Sequence, residues 1–231
     1  MPGTNLTRDE AAARAALVHV ESYDIDLDLT TGPTTFRSIT TVRFSAREPG
    51  QGTWIDFVGD SVEAITLNGE AIDPAVAFSD SRIALPALAA DNVLLIDATA
   101  RYTNSGEGMH RSVDPVDGEV YLYSQFEVPD SRRVYAVFEQ PDLKATFAFT
   151  VRVPDHWRVI SNQPAPEPVV HGDGTATWGF EPTPRISSYI TAVVAGPYAV
   201  VWDSFQGRDA VIPMGIFVRQ SLAEYVDNDN L

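Results

Sequence analysis

The chain has 231 residues, with 16 Lys and Arg against 32 Asp and Glu, a formal net charge of −16 and no cysteine. That balance argues against a nucleic-acid backbone or an anionic membrane surface as partner. The missing thiols exclude disulfides and thiolate metal sites, and 44% hydrophobic residues allow a sizeable core.

The first ten positions are mostly polar and hold no apolar run, and no secretory leader is read there. The longest apolar runs, such as Ala192–Ala195, are too short to span a bilayer. The expectation is a soluble protein of the reducing cytoplasm.

Thr7-Arg8-Asp9-Glu10 has the form of a capping box, so a short Ala-rich helix is expected from Glu10 to Leu17. The period then changes. From Tyr23 to Leu29 the residues alternate, with Tyr23, Ile25, Leu27 and Leu29 on one face. Asp24, Asp26 and Asp28 fall on the other, as a solvated strand face rather than a cation site. Further strands are expected over 36–45, 54–58 and 62–67, the last closed by an Asn68-Gly69 hairpin turn. The pattern continues over 76–78, 82–85 and 93–101.

Residues 104–108 and 114–118 are turn clusters. Strands follow at 120–126, 145–153, 157–161, 176–180 and 187–195, with one more at 210–218. Many short strands argue an all-β, largely antiparallel domain. Residues 222–226 read as a short turn or helix start. Asp227-Asn228-Asp229 lacks the Gly and Glu of a calcium loop and reads as the start of a helix. The end at Leu231 reads as cut.

Ser124 to Phe147 holds the densest chemistry. Gln125 and Glu127 are two apart, so an extended backbone puts them on one face. Pro129 ends that strand, and Asp130 or Ser131 is expected to cap a helical turn reaching Phe138. Arg132 and Arg133, in its first turn, call for acids or carbonyls as partners. On the residues alone, Glu127 reads as a surface acid and Gln125 as a satisfied polar group. Strand ends and loops on a rigid sheet are also where binding groups collect.

Gln125-Phe126-Glu127-Val128-Pro129-Asp130-Ser131-Arg132-Arg133 resembles the Q-F-E-P-x-x-A-R-R segment of the M1 family of zinc metallopeptidases. Phe138-Glu139-Gln140-Pro141, Val159-Ile160-Ser161-Asn162 and Thr183-Pro184-Arg185-Ile186-Ser187-Ser188-Tyr189 resemble three further blocks of that family, in the same order. Glu139-Gln140 departs from the family's usual Asp-Glu, and Ser124 from its Thr.

The resemblance implies a saddle-like β domain over 19–201, after a helical segment over 1–18. It also implies that 202–231 begins a truncated thermolysin-like catalytic domain. It assigns Glu127 to the substrate's α-ammonium group and Gln125 to the first side-chain pocket. Peptide N-termini and the parent's own catalytic domain are the implied partners, and zinc the parent's cofactor.

The family's zinc site needs H-E-x-x-H and a later Glu, and its second amine-binding acid comes from G-x-M-E-N. Neither motif occurs here. The four histidines, His19, His110, His156 and His171, stand far apart in the chain. The expectation is a fragment without catalytic residues or zinc of its own. Ser131, Ser161 and Ser188 have no nearby histidine to support a nucleophile. The alternative is a stand-alone β module that binds protein or carbohydrate, with a finished surface and no exposed docking patch.

Overall fold

Thr7 and Glu10 start the fold as the capping box requires. In a computed structural model describing residues 5–227, Thr7 Oγ1 accepts from the Glu10 N–H at 3.3 Å, and the Glu10 carboxylate accepts from the Thr7 N–H at 2.8 Å. The helix α1 (Arg8–Leu17) therefore begins two residues before Glu10.

Its last turn runs directly into β1 (Val18–Asp28), then β2 (Thr35–Ala46), β3 (Thr53–Asp56), β4 (Ser61–Leu67) and β5 (Glu70–Ile72). A one-turn helix, α2 (Pro74–Ala77), precedes β6 (Phe78–Ser79), β7 (Arg82–Leu85), β8 (Asp91–Arg101), β9 (Gly108–Val113) and β10 (Val120–Gln125). After them come β11 (Thr146–Pro154), β12 (Arg158–Ser161), β13 (Val169–Val170), β14 (Thr175–Gly179), β15 (Val193–Gly196), β16 (Ala199–Gln206) and β17 (Val211–Val218). Short 3-10 turns lie at Ser131–Arg133, Ser188–Ile190 and Gln220–Tyr225.

The largest sheet has eight strands in the order β13-β14-β11-β1-β2-β8-β4-β5. Its pairs are antiparallel except β1 with β11, which run parallel. A four-stranded antiparallel sheet, β12-β15-β10-β9, carries the stretch of interest on β10. β3-β7-β6 and β16-β17 complete the set. The all-β, largely antiparallel class is borne out. Among the described residues, no helix is long and apolar enough to cross a membrane.

Alternation builds the core. Tyr23, Ile25 and Leu27 on β1 and Phe147, Phe149, Val151 and Val153 on β11 are buried, while Asp24 and Asp26 are exposed. The parallel register sets Tyr23 beside Phe147, and their rings stack at 4.8 Å. Tyr135 packs edge-on against Tyr23, Phe126, Phe147 and Phe149. Such aromatic side chains each contribute roughly 1.5–3 kcal/mol on full burial. Asn68 (φ 55°) and Gly69 (φ 88°) form the expected tight turn of the β4–β5 hairpin.

Three expected elements differ. Residues 76 and 77 lie in α2 and only Phe78 is in a strand, because the Asp73 side chain caps the Ala75 N–H at 3.0 Å and Pro74 suits a first helical turn. The strand expected over 187–195 is a 3-10 turn followed by β15. There the Ser187 and Ser188 hydroxyls are drawn to the Pro141 carbonyl and the Glu139 carboxylate. The helical turn expected to reach Phe138 stops at Arg133, and Asp130 makes no side-chain cap. Val134–Phe138 is buried throughout, and Val137 exchanges backbone hydrogen bonds with Asp56 at 2.9 and 3.0 Å, which removes the groups a helix would use.

The sequence reading contains no counterpart of β9 or β13, and the strand that the resemblance implies from about Trp202 is β16, which begins at Ala199. Trp157 lies just before its strand rather than in it. The helix start expected at Asp227-Asn228-Asp229 falls largely outside the described residues.

Candidate functional site

β10 ends at Gln125, opposite Gly108 of β9. Phe126 turns inward and is buried, while Gln125 and Glu127 are both exposed. Glu127 is not on an extended strand as expected. It opens a turn over 127–130, closed by the Asp130 N–H on the Phe126 carbonyl at 3.2 Å. The two residues are nonetheless neighbours, because the Glu127 N–H donates to Gln125 Oε1 at 3.1 Å. That bond engages the Gln125 oxygen of an exposed side chain.

Glu127 borders a cleft shared with Val58, Glu107, Asp130, Arg132 and Arg133. The arginines find the partners that the sequence called for. Arg133 pairs with Asp130 at 2.5 Å and with Glu107 at 3.4 Å, and Arg132 Nε donates to the Pro129 carbonyl at 2.9 Å. Among the described residues, the Glu127 carboxylate has no hydrogen bond or ion pair. An exposed acid left without a cation beside a cleft can accept a ligand ammonium.

Sequence reasoning missed the contributions from β9. Gly108 has φ +63°, and a Cβ there would lie 2.9 Å from Arg133 Cβ. Only glycine lets β9 pass so close beneath the arginine. Glu107 sits in the preceding loop, where the Gly106 N–H donates to His110 Nδ1 at 3.1 Å and the His110 ring stacks on Tyr123 at 4.6 Å. The 104–108 cluster read only as a turn. Nothing local announced that it braces the arginine.

Behind the turn lies a buried polar network. Glu139 Oε2 accepts from the Ser131 hydroxyl and from the Arg132 N–H at 2.8 Å, and Oε1 from the Ser188 hydroxyl at 2.7 Å. Burial raises the Glu139 pKa, and the charge of Asp56 adds to that, against the lowering effect of the serine and backbone donors. Asp56 Oδ2 accepts from the Glu139 N–H at 3.1 Å and from Arg14 of α1 at 2.6 Å. Arg14 Nε also donates to Gln140 Oε1 at 3.1 Å. Ser131, Ser161 and Ser188 thus bond a carboxylate or carbonyl, and none is placed as a nucleophile beside a histidine.

Among the described residues, no group of three or more His, Cys, Asp or Glu is arranged to hold a metal ion. His19 and His110 lie on β1 and β9, His171 bonds the Thr177 hydroxyl, and His156 lies 4.0 Å from Glu119. Among the described residues these four histidines are thus not grouped with one another or with two further metal donors.

The model of the peptidase M1 N-terminal domain matches residues 19–190. Aminopeptidase N of Streptomyces lividans is 56% identical over 232 residues, covering 99% of this chain and 26% of its own length. Aminopeptidase N of Acetobacter pasteurianus is 34% identical over 103 residues, covering 45% and 28% respectively. Aminopeptidase M1-B of Oryza sativa subsp. japonica is 26% identical over 184 residues, covering 76% and 21%. The chain spans about a quarter of the length of these curated relatives.

Proposed function

This chain belongs to the peptidase M1 N-terminal domain family, and from that premise we propose that it is the substrate-recognition β domain of a zinc aminopeptidase. In this reading Glu127 binds the α-ammonium of a peptide and Gln125 borders the pocket for the first side chain. The observation that carries it is the exposed Glu127 carboxylate at the cleft, without a partner among the described residues and adjoined by the exposed Gln125 side chain. A carboxylate in hydrogen-bond reach of an ammonium measures a peptide from its first residue, so hydrolysis removes one residue at a time.

Zinc and the bond-breaking groups would belong to a catalytic domain of the same parent chain. Among this chain's described residues no such group of donors is arranged for a metal, so in this reading the chain alone neither holds catalytic zinc nor cuts peptides. The cysteine-free composition is in keeping with a cytoplasmic setting.

The β16–β17 hairpin favours this reading over a stand-alone module. Trp202, Phe205, Val211, Ile212 and Met214 are exposed on it, in keeping with a surface that a further domain covers.

Calorimetric titration with leucine amide and N-acetyl-leucine amide tests the site. The free amine should bind, the acetylated compound should not, and Glu127→Ala should weaken binding by at least about tenfold. Equal binding of both compounds would refute the amine site. Chelator-sensitive release of p-nitroaniline from leucine p-nitroanilide by the pure chain would refute its inactivity.

A further inference from the structure

Glu139 is a buried acid that the proposed recognition chemistry leaves unused. Its neighbour Asp56 is neutralised by Arg14 at 2.6 Å. Among the described residues, Glu139 has no cation at all, only the Ser131 and Ser188 hydroxyls and the Arg132 N–H. A carboxylate buried without a cation is costly, and hydrophobic packing would fill the same space at lower cost. Its hydrogen bonds show where it acts. One oxygen holds the first two residues of the 3-10 turn, and the other holds Ser188, in a segment 49 residues further along the chain.

Glu127 depends on that grip. Among the described residues its carboxylate has no partner, so the backbone sets its position. The 127–130 turn is anchored on one side by the β9–β10 ladder, ending at Gln125 opposite Gly108. On the other side it runs into Ser131 and Arg132. The Arg132 carbonyl also accepts from the Val58 N–H at 2.7 Å, a bond that presupposes Arg132 is already in place.

We propose that Glu139 is a positioning residue for Glu127, tying Ser131 and Arg132 to Ser188 so that the 127–130 turn presents the Glu127 carboxylate at the cleft. This rests on the reading of Glu127 as the amine acceptor. Glu139 itself touches no ligand. Its charge is not the operative feature, because three donors in fixed places need acceptors rather than a field. A glutamine there keeps an oxygen for Ser131 and Arg132 and turns its NH2 toward the Ser188 hydroxyl, which can accept.

The test uses the full chain, with 15N-resolved amide spectra titrated with leucine amide and urea midpoints recorded for each variant. Glu139→Ala should weaken leucine amide binding about tenfold and speed exchange of the Arg132 and Glu127 amides. Glu139→Gln should restore binding to within about threefold of the wild type, since the acceptor geometry survives. If Glu139→Ala does not fold, the double variant Ser131→Ala/Ser188→Ala, which removes both hydroxyl donors and leaves only the Arg132 N–H on Glu139, takes its place.

Wild-type affinity in Glu139→Ala or its substitute, alongside lost binding in Glu127→Gln, would overturn the positioning role and leave the amine site standing. A Glu139→Gln variant as weak as Glu139→Ala would also overturn it, since charge would then be the operative feature. Unchanged binding in Glu127→Gln would refute the amine site and the role of Glu139 together.

Discussion

Arg14 and Asp56 offer the sharpest test of how the fold is held. The Arg14 side chain is 0% exposed and that of Asp56 5%, with 2.6 Å between Nη1 and Oδ2. The guanidinium also lies 5.1 Å from the Trp54 ring centroid and 5.8 Å from that of Phe138. Arg14→Met keeps much of the stem packing but strands a buried carboxylate beside Glu139, which has no cation of its own. Breaking one side of a buried pair costs about 3–5 kcal/mol, a large share of the ~5–15 kcal/mol that stabilises a typical domain.

Asp56→Asn strands the cation instead and keeps an oxygen for the Glu139 N–H, which now lies 3.1 Å from Oδ2. The double variant removes both charges. It should therefore cost less than the sum of the singles by about 2 kcal/mol or more. Urea unfolding followed by tryptophan fluorescence reads all four forms, with a constant m-value as the check that the compact state is unchanged. A loss below about 1 kcal/mol in Arg14→Met, or additivity within about 0.5 kcal/mol, would refute the reasoning.

Glu10 gives a pH signature. Its pKa is held down to about 2, first by hydrogen bonds from Arg82 at 2.7 and 3.2 Å and then by the Thr7 N–H. Because the folded value lies below the ordinary 4.5, the contribution is complete above that pH and is lost as pH falls through about 2. Allowing for solvent screening it amounts to about 1–2 kcal/mol, so the gap in urea midpoint between wild type and Glu10→Gln should be open at neutral pH and closed by about pH 2. A gap that does not change with pH would refute the assignment. On the β16–β17 hairpin, Trp202→Ser with Phe205→Ser should cut the fluorescence of a bound hydrophobic dye by about half or more. Undiminished signal would mean that the exposed apolar surface lies elsewhere.

What the sequence revealed was local in origin. Alternation on Tyr23–Leu29 and 145–153 reports burial directly, because a strand's side chains change face at every residue. The Thr7–Glu10 box and Asn68-Gly69 are likewise complete within a few residues. The failures share the opposite property. Residues 134–138 look capable of a helical turn, yet Val137 bonds Asp56, some eighty positions earlier. Ser187 and Ser188 look like strand residues, yet their hydroxyls answer to Pro141 and Glu139. Gln125 and Glu127 were picked out correctly as neighbours but for the wrong reason, since a side-chain bond across a turn joins them rather than a shared strand face.

The same contrast explains why four separated sequence blocks resemble one family together. Ser124 on β10 accepts from the Val193 N–H at 2.8 Å. Asn162 bonds the Ile190 carbonyl and the Ala192 N–H, both at 2.8 Å, and Ser161 bonds the Ala192 carbonyl at 2.8 Å. Glu139 bonds Ser131, Arg132 and Ser188. The blocks at 125–133, 138–141 and 183–189 are thus joined directly behind the Glu127 turn through Glu139 and Pro141, while 159–162 bonds residues 190 and 192, just past the last block. Substitution of Glu139 leaves donors unmatched in two other blocks. A residue such as Glu139 can therefore be held in place by chemistry it never performs. In the proposed reading, the exposed pair at Gln125 and Glu127 is the smaller part of what such a site requires.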